Sequence, residues 1–133
     1  MNRCVVIADD DPNVVRLIKL RLGMAQYDVV ATDDAVAAMA MVRAKVPAAV
    51  ILDVQMPGGG GLSALARIKS DPELSGVPVM MLTGERNAET VMEAMGSGAD
   101  DYMVKPFNPD ALLQRVSRLV DRGGKPTAVT WEI

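Results

Sequence analysis

The stretch Cys4-Val-Val-Ile-Ala-Asp-Asp-Asp-Pro12 runs from an unbroken apolar segment straight into three acids and a proline. Cys4 to Ala8 is continuous and rich in β-branched residues, the pattern of a short strand covered on both faces. Asp11 followed by Pro12 supplies a capping side chain and a proline at the first helical position, so a helix starts there. Val14, Ile18 and Leu22 then fall on one face, whereas Arg16, Lys19 and Arg21 point elsewhere, and Gly23 is expected to mark the end. A buried strand that feeds directly into an amphipathic helix is the opening of a parallel βαβ unit.

The same unit recurs along the chain. Asp28 to Thr32 reads as a weaker second strand. Asp33 or Asp34 can cap the helix after it, with Val36, Met39, Ala40 and Val46 expected inward. Ala48 to Leu52 is the third strand, and the helix beyond the glycine run carries Leu62, Leu65 and Ile68. Val77 to Leu82 is the fourth, with Pro78 tolerable only near its start or at a sheet edge. A helix containing Val91 and Met95 follows, then a short strand around Tyr102 to Val104. Asn108-Pro109 opens the last helix, in which Leu112, Val116 and Val120 align and after which Gly123 follows. Five strands alternating with five helices predict an α/β sandwich with right-handed crossovers. Residues 1–122 are expected to form one domain, and residues 123–133 a short tail or linker.

Composition narrows the function. At 133 residues the chain suits one domain with a real core. Half of it is hydrophobic but only 3% is aromatic, so Val, Ile, Leu, Met and Ala must build that core. Met80, Met81, Met92 and Met95 are read as packing residues at core spacings, and Cys4, the single cysteine, as a small core hydrophobe. A net charge of −3 without a Lys/Arg cluster gives no field for a polyanion, so direct nucleic-acid binding is not expected. The apolar run before Asp9 is too short for a signal core or a membrane span, and the chain reads as soluble and cytoplasmic. With no histidine, the usual zinc patterns are absent.

Chemistry collects at one rim of this scaffold. Asp9, Asp10 and Asp11 end the first strand and Asp53 ends the third, and ligands of open parallel sheets bind outside the carboxyl ends of the strands. If those strands are neighbours, several carboxylates converge. Two unit charges about 4 Å apart repel by roughly 4 kcal/mol at an effective dielectric near 20, so such a cluster calls for a cation. Its oxygen ligands suit Mg²⁺ or Mn²⁺. Capping explains Asp11 fully. It does not explain why Asp9, Asp10 and Asp53 terminate two apolar central strands. Thr83 ends the fourth strand and Lys105 follows the fifth, which adds a hydroxyl and an ammonium. Such a rim can hold a phosphoryl group on Asp53 as an acyl phosphate, with the metal, Lys105 and Thr83 facing its oxygens.

On Ile7-Ala-Asp-Asp-Asp-Pro12, Ile51-Leu-Asp-Val-Gln-Met-Pro57, Met81-Leu-Thr-Gly84 and Asp101-Tyr-Met-Val-Lys-Pro-Phe107, the chain resembles the receiver domains of two-component response regulators, including the chemotaxis-regulator type. The resemblance covers about residues 3 to 121. It implies a flavodoxin-like doubly wound sheet in strand order 2-1-3-4-5. It further implies that Asp53 is the phosphorylation site, that Asp9, Asp10, Asp53 and the Gln55 carbonyl hold the metal, and that Thr83 and Lys105 contact the phosphoryl group. Tyr102 would be the switch aromatic, turning inward as Thr83 is drawn toward the phosphoryl group. Implied partners are a histidine kinase or phosphotransfer protein, and a downstream protein or effector domain met through the fourth helix, fifth strand and fifth helix. A homodimer is a further possibility of the family.

One departure stands out. The family often has an acid just before the glycine that opens the third helix, whereas Gly58 to Gly61 are all glycine here, and a flexible turn is expected. The run does not match a nucleotide-binding loop, since no Lys-Ser/Thr follows it. Two other function classes stay in view. An aspartate-nucleophile phosphohydrolase resembles a pattern with a second aspartate two residues after the nucleophile, where this chain has Gln55. A phosphorylation-independent interaction or dimerisation module would be expected to lack some of the site residues, and all are present. The chain is read as a signalling domain, either a stand-alone receiver or part of a longer regulator.

Overall fold

The computed structural model describes residues 2–84 and 88–122. Its elements are β1 (Cys4–Ala8), α1 (Pro12–Met24), β2 (Asp28–Thr32), α2 (Ala35–Lys45), β3 (Ala49–Asp53), α3 (Gly60–Ser70), β4 (Val79–Thr83), α4 (Ala88–Gly96), β5 (Asp101–Val104) and α5 (Pro109–Arg122). Capping fixes the starts. The Asp11 carboxylate accepts from the Asn13 amide at 2.9 Å, and Asp34, not Asp33, accepts from Ala37 at 2.7 Å. The Asn108 side chain accepts from Asp110 at 2.8 Å and Ala111 at 3.2 Å, with Pro109 at the first helical position.

The five strands are all parallel and lie in the order β2-β1-β3-β4-β5. The doubly wound, flavodoxin-like sheet is therefore the observed fold. Alternation along each strand divides the core into two layers. Val5, Ile7, Ala49 and Ile51 pack with Ile18, Leu22, Leu112 and Val116 of α1 and α5. Val6, Val50, Leu52 and Met81 pack with residues of α2, α3 and α4 on the opposite face. Each fully buried Ile or Leu contributes about 1.5–3 kcal/mol relative to exposure. In β3 and β4 every residue is buried. Both layers meet the register that matters for function: Ala8 lies opposite Leu52, so Asp9 and Asp53 leave the sheet side by side.

Some expected details differ. In α2 the inward residues are Ala35, Ala38, Met39 and Val42, whereas Val36 is 62% exposed, Val46 is 48% exposed, and Ala40 faces out. Nearly every α2 residue is apolar, so the sequence offers no polar face to orient it, and the small alanines pack closest to the sheet. β3 begins one residue later than expected and continues through Asp53, and β4 begins at Val79, which leaves Pro78 just before the strand. Pro78 still accepts from the Val50 amide through its carbonyl at 2.9 Å. Gly23 lies within α1, whose cap is Ala25. Met92 is 69% exposed, and Cys4 is only half-buried at the start of its strand. Gly123 and the rest of the tail fall outside the described residues.

The glycine run is not a loose turn. Gly58, Gly59 and Gly60 all have positive φ, at 86°, 102° and 83°. The Pro57 carbonyl just before them accepts from the Ala35 amide at 2.9 Å, which docks the loop on the start of α2. Gly61 then passes so close to β3 that an added Cβ would overlap the Asp53 carbonyl oxygen. Only glycine fits that approach.

The opposite end of the sheet is tied by Lys69. Its ammonium donates to the Val77 carbonyl and to the Asp100 carboxylate, both at 2.8 Å, and the same Asp100 oxygen accepts from the Val79 amide at 2.8 Å. This clamp fixes where β4 enters the sheet.

Candidate phosphoacceptor and metal site

Asp9, Asp10 and Asp53 arrive at the carboxyl edge from β1 and β3, each offering an oxygen within 4.8 Å of the others. Asp9 and Asp53 are buried, at 1% and 5% exposure, while Asp10 is exposed. Local backbone amides hold the buried pair. Asp9 Oδ1 accepts from the Asp11 amide at 2.9 Å, and Asp53 Oδ1 accepts from the Gln55 amide at 3.2 Å. Thr83, 1% exposed, ends β4, and its carbonyl accepts from the Lys105 amide at 2.7 Å. That bond brings the ammonium back over the acids.

Lys105 Nζ lies 2.8 Å from Asp9 Oδ2 and 3.4 Å from Asp53 Oδ2. The closer pairing is with Asp9, a partner the sequence reading did not assign to this lysine. Sequence shows which strand ends carry charge, but the choice between two neighbouring carboxylates depends on side-chain paths. Asp10, Asp53, Gln55, Thr83 and Lys105 line one open cleft of about 520 Å³. A larger cleft of about 880 Å³ lies on the far side of the acid pair, between α1 and β2. It is lined by Asp9 and Asp10 but lacks Asp53, Thr83 and Lys105, which line the smaller cleft together with Asp10.

Burial raises the Asp53 pKa from 3.8 to about 6, and the negative charge of Asp9 pushes the same way. Lys105 and the Gln55 amide oppose the rise without cancelling it. For Lys105, burial alone would lower the pKa, but Asp9 and Asp53 outweigh it and the ammonium is held more firmly than usual. Among the described residues, Lys105 thus pairs with both buried acids. Asp9 Oδ2 is buried and, although close to Lys105, lacks an aligned hydrogen-bond donor. An all-oxygen set with an unfilled, inward-facing lone pair fits a hard divalent cation.

Tyr102 is 7% exposed and lies in the layer shared by α2, α3 and α4, so the packed fold accommodates an inward ring. Beside it, Asp101 Oδ1 accepts from the Tyr102 amide at 2.7 Å and from Arg115 at 3.1 Å. Burial raises the pKa of Asp101, which these donors oppose. Neither Asp101 nor Arg115 stood out in sequence, because a single acid and a base on separate elements carry no periodic signal. Gly61 was visible only as one member of a glycine run.

Residues 5–117 match the model of the response regulator receiver domain. Among curated relatives, the chain is 34% identical to the DNA-binding dual master transcriptional regulator RpaA of Synechocystis over 89% of its own length and 49% of that protein. The chain thus spans about half the length of the curated relatives it matches. Among solved structures, a response regulator from Chloroflexus aurantiacus superimposes with a TM-score of 0.86 at 30% identity, covering 92% of this chain and all of that one. The chemotaxis response regulator CheY4 of Vibrio cholerae gives 0.83 at 28% identity, covering 90% and 99%. With its sheet order, its acidic strand ends and a family match over most of its length, this chain belongs to the response regulator receiver domains of two-component signalling.

Proposed function

We propose that Asp53 is the phosphoacceptor of this receiver, charged by a histidine kinase or phosphotransfer protein. The observation that carries the reading is the convergence of Asp53, Asp9, Asp10, Thr83 and Lys105 on one rim. Asp53 Oδ2 attacks phosphorus in line as the donor's bond to phosphorus breaks, leaving an acyl phosphate. Asp9, Asp10, Asp53 and the Gln55 carbonyl would hold Mg²⁺ or Mn²⁺, which neutralises charge on the phosphoryl oxygens when bound. Lys105 turns from the carboxylates to the new phosphoryl group, and the Thr83 hydroxyl donates to it.

The output follows from Thr83 and Tyr102. Drawing Thr83 toward the phosphoryl group favours the inward Tyr102 ring and biases the surface of α4, β5 and α5 toward one of two arrangements. A downstream protein, an effector domain or a second copy would read that surface. No described helix is long and apolar enough to cross a membrane, and a cytoplasmic site of action is part of the same proposal.

The deciding experiment is intact mass after incubation with a small phosphodonor and Mg²⁺. Wild type should gain one phosphoryl group that peptide mapping places on Asp53, and Asp53→Ala should gain none. Equal labelling of both proteins would end the reading. Mg²⁺ at millimolar concentration should also raise the melting temperature by mass action. Asp10→Asn should remove most of that rise, and a melt that ignores Mg²⁺ in wild type would count against the metal site.

The lifetime of the phosphoryl group is set by the approach of water. Gln55 is exposed on the rim of the cleft, so a long cation there can block the path and pair with the phosphoryl oxygens. Gln55→Lys is expected to lengthen the lifetime several-fold while leaving Mg²⁺ binding through the backbone carbonyl largely intact. Phosphate release after removal of the donor measures this, and loss at the wild-type rate or faster would show that Gln55 does not gate the water.

A further inference from the structure

The ring of Tyr102 and its backbone are held from opposite sides of the sheet. The ring lies in the layer that contains Val91 and Ala94 of α4. Asp101 precedes Met103 by two positions, so it shares the face of Met103, in the layer that contains Leu112 and Val116 of α5. From that side, side chains take up both backbone polar groups of Tyr102. The Asp101 carboxylate accepts from the Tyr102 amide at 2.7 Å, and Arg115 of α5 donates to the Tyr102 carbonyl at 3.0 Å. The same Arg115 nitrogen, which carries two hydrogens, donates to Asp101 Oδ1 at 3.1 Å and closes the ring of contacts around this one residue.

Neutralising a buried acid accounts for only part of the arrangement. Asp101 is 8% exposed, and a carboxylate kept there needs donors. The contact with Arg115 meets that need without any bond to the neighbouring carbonyl. Ion pairs of this kind are also a weak source of stability. The second contact matters because of where β5 lies. Among the described residues it pairs only with β4, so its outer side has no strand to hold it. An edge strand fastened on one side alone can yield when a large side chain on it turns, and the movement then goes no further.

We propose that Arg115, acting through Asp101 and the Tyr102 carbonyl, is a positioning residue for the switch. It pins the backbone of Tyr102 to α5, so that a turn of the ring is delivered to α4 instead of being lost as movement of the edge strand. The inference rests on the reading of Thr83 and Tyr102 as the switch pair, and it adds the anchor against which the ring moves.

The chain has two tyrosines, Tyr27 and Tyr102, so fluorotyrosine labelling of the full chain gives two fluorine resonances that Tyr27→Phe assigns. In wild type, a small phosphodonor with Mg²⁺ should shift the Tyr102 resonance and change amide hydrogen exchange across α4. In Arg115→Met, which keeps the apolar stem, Asp53 should be phosphorylated at the wild-type rate and the resonance should still shift. The change in exchange at α4 should fall several-fold. Asp101→Asn keeps an acceptor for the Tyr102 amide but loses the charge that holds Arg115, and it should show the same defect; far-ultraviolet circular dichroism checks that both variants fold. A full response of α4 in both would overturn the proposal. Slower phosphorylation of Asp53 in the variants would also overturn it, since Arg115 would then act on the site and not on its output. So would a defect that appears only as protein concentration rises, because Arg115 would then act between copies. These outcomes leave the phosphoacceptor reading standing, whereas a wild type that takes up no phosphoryl group would sink that reading and this one with it.

Discussion

Replacing Asp53 by asparagine should make the metal-free protein more stable at about pH 7.5, by on the order of 1–2 kcal/mol, while abolishing phosphorylation. The folded-state pKa is raised from 3.8 to about 6, so the native protein holds a proton on Asp53 more tightly than the unfolded chain does. Above about pH 6 the carboxylate is ionised in both states and the fold bears the full cost of a charge kept beside Asp9. As pH falls from 6 toward 3.8 the native state takes up its proton first, and the cost disappears. The advantage of Asp53→Asn should therefore be largest near neutrality and should vanish below about pH 4. Water reaching the open cleft screens the pair, which keeps the gain below what the full shift would give. On the proposed reading of Asp53 as a metal ligand, adding Mg²⁺ should reverse the order near neutrality. Denaturant titrations at several pH values, with and without Mg²⁺, measure all of this. A stability difference that stays flat with pH would show that Asp53 is not strained by its surroundings.

Gly61→Ala should be the most damaging small substitution near the site. The added Cβ would overlap the Asp53 carbonyl oxygen and lie 2.8 Å from its carbon, with the Met81 methyl at 3.2 Å on the other side. A methyl group at the end of a flexible methionine can yield, but the β3 backbone can yield only by moving Asp53. Overpacking of this kind costs about 1–3 kcal/mol. Misplacing a reacting group by about 1 Å costs on the order of 10²-fold in rate. The variant should fold less stably and take phosphate from a small donor far more slowly than wild type. Normal stability together with a normal phosphorylation rate would mean that the close approach is not needed.

The site was more legible in the sequence than the packing around it. Strand ends were readable because Asp9, Asp53 and Thr83 interrupt short apolar runs, and a buried parallel strand leaves little choice about where its polar residue goes. β1 and β3 then had only to be neighbours for the acids to meet, as their register shows. α2 was misread because Ala35 to Val42 offers no contrast between faces, and only the packed structure shows that alanines turn inward. The glycine run looked like freedom and proved to be constraint, because positive φ values and a close approach are invisible until the partner backbone is placed. The 2.8 Å pairing of Lys105 with Asp9 was hidden for a similar reason, since it depends on side-chain paths across a cleft.

The division of the core into two layers has a consequence for how a signal travels. Thr83 continues the alternation of Val79 and Met81, and Tyr102 belongs to the same layer, which also holds Val91 and Ala94 of α4. Leu112 and Val116 of α5 belong to the other layer. On the proposed reading, a movement begun at Thr83 is passed to α4 within one layer, while α5 packs in the other and meets β5 through Arg115. Among the described residues β5 pairs only with β4, so it is the border along which the two layers come to the surface together. A shift within one layer would emerge there as shear, and a partner bridging α4 and α5 would sense their offset instead of the position of either helix.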